Sequence, residues 1–167
     1  MKVIPRWRWR AKKPTASKTA MIRPARGTIV HHTVTAGGKR TPKQERAHMR
    51  ELQQIAFSRF FADISYSFII FESGNVYEGR GWGVVGAHTE GSNSTTHGIA
   101  FVGNYETAKP SKASLDSARA LIRKGVRNGH IKKGGSVIGH RDDPGAATAC
   151  PGKHLFEKIG SIRPASL

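Results

Sequence analysis

An α/β domain built around one sheet is what this chain predicts, and two patterns carry the prediction. Short β-branched runs alternate along it with stretches of helical periodicity. Two of those runs lead into His31 and His140, which places polar groups at strand ends. At 167 residues, 37% of them apolar, the chain suits a single domain with a real core.

Taken in order, residues 1–26 carry Pro5, Pro14 and Pro24 among Lys and Arg and read as a basic, extended lead-in; the domain proper is set at 27–167. The alternation Arg6-Trp7-Arg8-Trp9-Arg10 fits either a membrane-surface element or an arm laying its indoles onto the domain. Thr28 to Val34 reads as a strand. Thr41-Pro42-Lys43-Gln44 opens a helix with an N-cap, a first-turn proline and a capping-box glutamine. Met49, Leu52, Ile55, Ala56 and Phe60 recur at helical spacing as its expected buried face. Tyr66–Phe71, the turn Ser73-Gly74-Asn75 and Val76–Glu78 form a hairpin pattern. Ile99–Val102 is a further strand. Leu115, Ala118, Ile122 and Val126 mark a second helix that Gly129 can end, with Arg119, Arg123 and Arg127 on its other face. Ser136–Ile138 is a strand, and Lys153–Ile159 a short closing helix.

The formal charge is +17, and it is unevenly spread: no Asp or Glu precedes Glu45, while residues 1–44 hold twelve Lys and Arg. Such a surface attracts polyanions, whether nucleic acid, anionic lipid or an anionic wall polymer. No zinc-finger or RNA-recognition signature supports nucleic acid, so none is expected as a partner. The one cysteine excludes an internal disulfide. Residues 1–13 are basic and lack the apolar core of a signal peptide, so synthesis and folding in a cytoplasm are expected.

His31, His140 and Cys150 make a three-ligand set that suits a catalytic zinc, since structural zinc sites close with four protein ligands. Two rivals use the same atoms. A blue-copper site wants an axial methionine, and Met1, Met21 and Met49 all lie far upstream of Cys150. A cysteine nucleophile would pair Cys150 with His140 or His88, and would survive chelation. His32, His48, His97, His130 and His154 are assigned to structure or solvent.

Six segments then occur in order: Val30-His31-His32-Thr33, Ser65-Tyr66-Ser67-Phe68-Ile69-Ile70, Gly86-Ala87-His88-Thr89, Gly98 to Asn104, Gly139-His140-Arg141-Asp142 and Thr148-Ala149-Cys150-Pro151-Gly152. Together they resemble the type-2 N-acetylmuramoyl-L-alanine amidases, the family that includes peptidoglycan recognition proteins and lysozyme-like phage amidases. The similarity runs from about Arg6 to the last helix. It implies a mixed central sheet flanked by about three helices, and one zinc ion per chain on His31, His140 and Cys150. By the same resemblance Tyr66 matches the catalytic tyrosine, Thr148 a catalytic Lys/Thr position, and His88 and Asn93 positions near the substrate groove. Read without it, Tyr66 is an ordinary strand aromatic and Thr148 a loop-capping hydroxyl.

Two departures stand out. The loop Asp142–Ala147 is about two residues longer than the family pattern, and the disulfide pair of animal recognition proteins is missing. The implied activity is hydrolysis of the amide between N-acetylmuramic acid and L-alanine in peptidoglycan, by a monomer acting as a phage endolysin. The alternatives are a non-catalytic peptidoglycan-binding protein and an intracellular muropeptide-recycling amidase. The basic lead-in would hold such an enzyme on anionic wall polymers or a membrane surface.

Overall fold

The computed structural model describes residues 1–165. In chain order it contains β1 (Val3–Ile4), a 3-10 turn at Arg6–Trp9, β2 (Ala25–His32), α1 (Pro42–Ser58), β3 (Phe68–Ile70), β4 (Val76–Glu78), β5 (Thr96–Phe101), α2 (Lys112–Arg127), β6 (Ile131–Gly139), a 3-10 turn at His140–Asp142, α3 (Lys153–Phe156) and α4 (Ile159–Ile162). The six strands form one mixed sheet in the order β1-β4-β3-β5-β2-β6, with only β3 and β4 antiparallel.

Side chains alternate across the sheet, so adjacent residues serve opposite layers. Val30, Phe68, Ile70, Ile99 and Phe101 pack under α2 and α4 with Leu121, Ile122, Ile159 and Ile162. Ile69 and Tyr77 face the other way, onto Met49 and Leu52 of α1 and onto Trp9. His31 follows Val30 in β2 and so points to that second face.

α1 starts as its sequence dictates: Thr41 Oγ1 accepts from the Gln44 amide, and the Gln44 side chain accepts from the Thr41 amide. Its buried face differs from the apolar pattern. Phe60 lies past the helix end at φ 64, which throws its side chain outward to 97% exposure, and Ile55 is 38% exposed. Glu45, His48 and Gln53 are buried in their place, each held by hydrogen bonds to neighbouring elements. α2 ends where the glycine placed it, with Gly129 at φ 76. The predicted strand at 28–34 lies instead at Ala25–His32: it starts earlier because Ala25 and Gly27 pair with β6, and stops earlier because Val34 adopts φ 62 and turns out of the sheet. The closing helix is split into two single turns, yet Leu155, Ile159 and Ile162 still present one apolar stripe to the core.

Residues 1–26 are integrated with the sheet. β1 pairs with β4, Ala20 bridges to Val84, and Trp9 is fully buried with its indole donating to Glu78 O at 2.8 Å. Trp7, by contrast, is 73% exposed under the guanidinium of Arg8. Arg6 is spent internally, on Asp63 at 3.0 Å and Gly79 O at 2.7 Å. No helix among the described residues is long and apolar enough to cross a membrane.

Candidate metal and catalytic site

β2 and β6 are parallel neighbours with Val30 opposite Gly139, so the residues that follow, His31 and His140, reach the same end of the sheet. Their rings lie 4.7 Å apart. The loop after the His140 turn is tied back by the Arg141 amide, which donates to Cys150 O at 2.9 Å, and it delivers the thiol. Nδ1 of His31 stands 3.6 Å from Sγ of Cys150, and the three ligand atoms lie within 4.8 Å of one another.

That spacing fits a tetrahedral zinc. With Zn–S near 2.3 Å and Zn–N near 2.05 Å, a tetrahedral angle puts nitrogen and sulfur about 3.5 Å apart. The donor chemistry agrees. Burial, then the neighbouring imidazoles of His88 and His140, push His31 well below the ordinary histidine value, so it is neutral and able to coordinate. His140 is lowered by burial as well. Burial pushes the Cys150 thiol up to about 11, although the main-chain amide of His32 favours the anion. Such a thiol stays protonated near neutral pH, which disfavours a cysteine nucleophile; a bound cation is what would make it a thiolate.

Tyr66 packs beside the set, its ring 5.3 Å from that of His31. Burial raises its phenol to about 12, so it is a hydrogen-bond donor at neutral pH. Thr148 caps the loop, its hydroxyl oxygen accepting from the Cys150 amide at 3.1 Å, and it also lines a cleft of about 300 Å³ with His88, Thr89, Glu90, His140, Asp143 and Ala147. His88 sits behind His31, with Nδ1 2.9 Å from its Nε2. Asn93 turns its carbonyl oxygen to the main-chain amides of His88 and Thr89, both at 2.8 Å.

Sequence reasoning did not single out Asp143, which is buried, lines the cleft and accepts from Ser92 Oγ at 2.7 Å. Its signal is the doubled acid after His140-Arg141, which on sequence alone reads as loop. Thr89 stands within a motif, but nothing in the sequence marks it as a neighbour of two imidazoles.

The same fold recurs in solved peptidoglycan-recognition proteins. Drosophila PGRP-LB superposes with a TM-score of 0.90 at 35% identity, over 96% of this chain and 93% of that one. PGRP-LE in complex with tracheal cytotoxin, a monomeric diaminopimelic acid-type peptidoglycan, gives a TM-score of 0.90 at 34% identity, over 95% and 92%. Among curated proteins, a peptidoglycan recognition protein of Trichoplusia ni is 41% identical over 83% of this chain and 75% of its own length. Mouse N-acetylmuramoyl-L-alanine amidase is 39% identical over 94% of this chain, which spans 30% of the mouse protein. Residues 21–153 match the family Amidase_2, N-acetylmuramoyl-L-alanine amidase, and the chain belongs to that family.

Proposed function

We propose that the protein is a zinc-dependent N-acetylmuramoyl-L-alanine amidase that cleaves the amide between N-acetylmuramic acid and L-alanine in peptidoglycan and lyses cells as an endolysin. The observation that carries this reading is the His31, His140 and Cys150 set, three ligands at zinc spacing beside an open cleft. His31, His140 and Cys150 would hold the zinc, which when bound would supply Lewis acidity toward a scissile carbonyl and a lowered pKa for water.

The remaining steps belong to the chain's own side chains. Tyr66 keeps its proton and donates it in a hydrogen bond to the oxyanion that develops as the amide carbonyl is attacked. Thr148 accepts from the Cys150 amide and has its own hydroxyl proton left to orient a substrate oxygen in the cleft. The muropeptide lies along the cleft bounded by His88, Glu90 and Ala147. Exposed basic residues hold the enzyme on the anionic wall after synthesis in a cytoplasm.

A binding-only reading is favoured by the names of several relatives, which describe recognition and not cleavage. Purified cell wall separates the two. An amidase frees new amino groups on alanine and releases soluble stem peptides, whereas a binding protein sediments with the wall and frees none.

A further inference from the structure

We propose that His88 is a positioning residue that holds His31 in the tautomer with its proton on Nε2, leaving Nδ1 bare and aimed at Cys150. The use of this lock rests on the zinc reading above; its hydrogen bonds do not.

The chain of bonds starts at an atom that can only accept. Thr96 O lies 3.2 Å from Nε2 of His88, so that nitrogen carries the proton. The His88 ring is buried, and no carboxylate hydrogen-bonds it among the described residues, so it is neutral and has a single ring proton. Its Nδ1 is therefore an acceptor. His31 Nε2 faces that lone pair at 2.9 Å, a contact that is attractive only if His31 brings the proton. A neutral imidazole has one, so Nδ1 of His31 is left unprotonated, and that is the atom 3.6 Å from Cys150 Sγ. Thr89 Oγ1 reaches His88 Nδ1 at 3.0 Å and His31 Nε2 at 3.4 Å, but a hydroxyl serves either tautomer and does not decide.

The ring is also fixed in place. A Cβ on Gly98 would fall 2.5 Å from His88 Cγ, and one on Gly86 would fall 2.9 Å from Cδ2, so two glycines form the slot that admits it. Asn93 clamps the backbone on either side of the His88 carbonyl by accepting from two successive amides. Two residues that resemble groove positions thus orient a ligand from behind. Partners of this kind fix the ring and tautomer of a ligating histidine, and losing one typically costs about 10- to 100-fold in metal affinity.

The test has two arms. In metal-free protein with 15N-labelled histidine, long-range 15N–1H correlation at pH 7.5 should show His31 protonated on Nε2 and His88 protonated on Nε2. A proton on Nδ1 of His31 overturns the proposal, whatever any variant does. The second arm is zinc affinity by competition with a chromophoric chelator. His88→Leu removes the acceptor and should weaken zinc binding about 10- to 100-fold, while His88→Asn, which can offer Oδ1 where Nδ1 stood, should recover part of it. A folded His88→Leu that binds zinc like the parent, or equal losses in Leu and Asn, would also overturn the lock. If the parent binds no zinc yet has its His31 proton on Nε2, the zinc reading falls and the lock stands.

Discussion

Tyr77 donates its hydroxyl to Glu45 at 2.9 Å, joining the middle of β4 to the first turn of α1 across a buried seam. Asn75 and Ser73 of the hairpin turn bring two more donors to the same carboxylate, at 2.8 and 2.5 Å. A buried carboxylate is tolerated only when it is satisfied in this way. Tyr77→Phe leaves the charge one donor short, and should lower unfolding free energy by about 1.5–3 kcal/mol. Urea denaturation of the two proteins measures this directly, and equal midpoints would mean the bond contributes nothing net.

Tyr66→Phe removes one hydroxyl from beside His31 and changes little else. It should keep the fold and the zinc content, and lose about 100- to 1,000-fold in amide cleavage. Turnover at the parental rate would falsify the oxyanion role and return the residue to packing.

His97 gives the protein a pH dependence set first by burial. It is fully buried, Nδ1 is hydrogen-bonded to Ser67 Oγ at 3.0 Å, and burial, then nearby His88 and His130, lowers it to about 3. The unfolded chain binds a proton below about 6.5 that the folded chain refuses until about 3, so stability rises with pH across that window. This one group should remove roughly 1.4 kcal/mol per pH unit as pH falls from 6 to 4. His97→Gln should flatten the slope of unfolding free energy by about one proton; an unchanged slope would place the titration elsewhere.

Docking on the wall should be electrostatic and separable from chemistry. Exposed charge is screened over about 8–10 Å at physiological salt, so lysis of whole cells should fall steeply as salt rises while cleavage of a small soluble muropeptide barely changes. The charge-removing variant is Arg8, Arg10, Lys12 and Lys13 to Gln. Arg6 is left alone because its ion pair with the buried Asp63 holds the arm to the domain. A variant with the parental melting temperature that still lyses cells like the parent at low salt would end the docking idea.

Much of this architecture was legible in local chemistry. The Thr41 capping box, Gly74 in the hairpin turn and Gly129 after α2 each fix a boundary within a few residues, and each is where the pattern placed it. The ligand candidates were legible because two of them follow apolar strands that proved to be parallel neighbours. Other features depend on long-range partners and leave no periodic trace. Trp9 is buried because β1 carries it onto α1, while Trp7, two residues earlier and identical in type, is not. Phe60 is exposed because the helix ends two residues before it, and apolar spacing by itself cannot register that. The inward aim of His88 follows from two glycines on separate segments meeting one ring, and that of Asn93 from the two main-chain amides it accepts from.

Amide cleavage should depend on zinc held by His31, His140 and Cys150. The direct measurement is release of alanine amino groups from purified cell wall by the parent protein, after chelation, and after stepwise return of zinc. Activity should vanish with the metal and return in proportion to zinc, saturating near one ion per chain, while Cys150→Ser should neither retain a full complement of zinc nor recover. Undiminished cleavage by fully metal-free protein, or full zinc content and activity in Cys150→Ser, would contradict it.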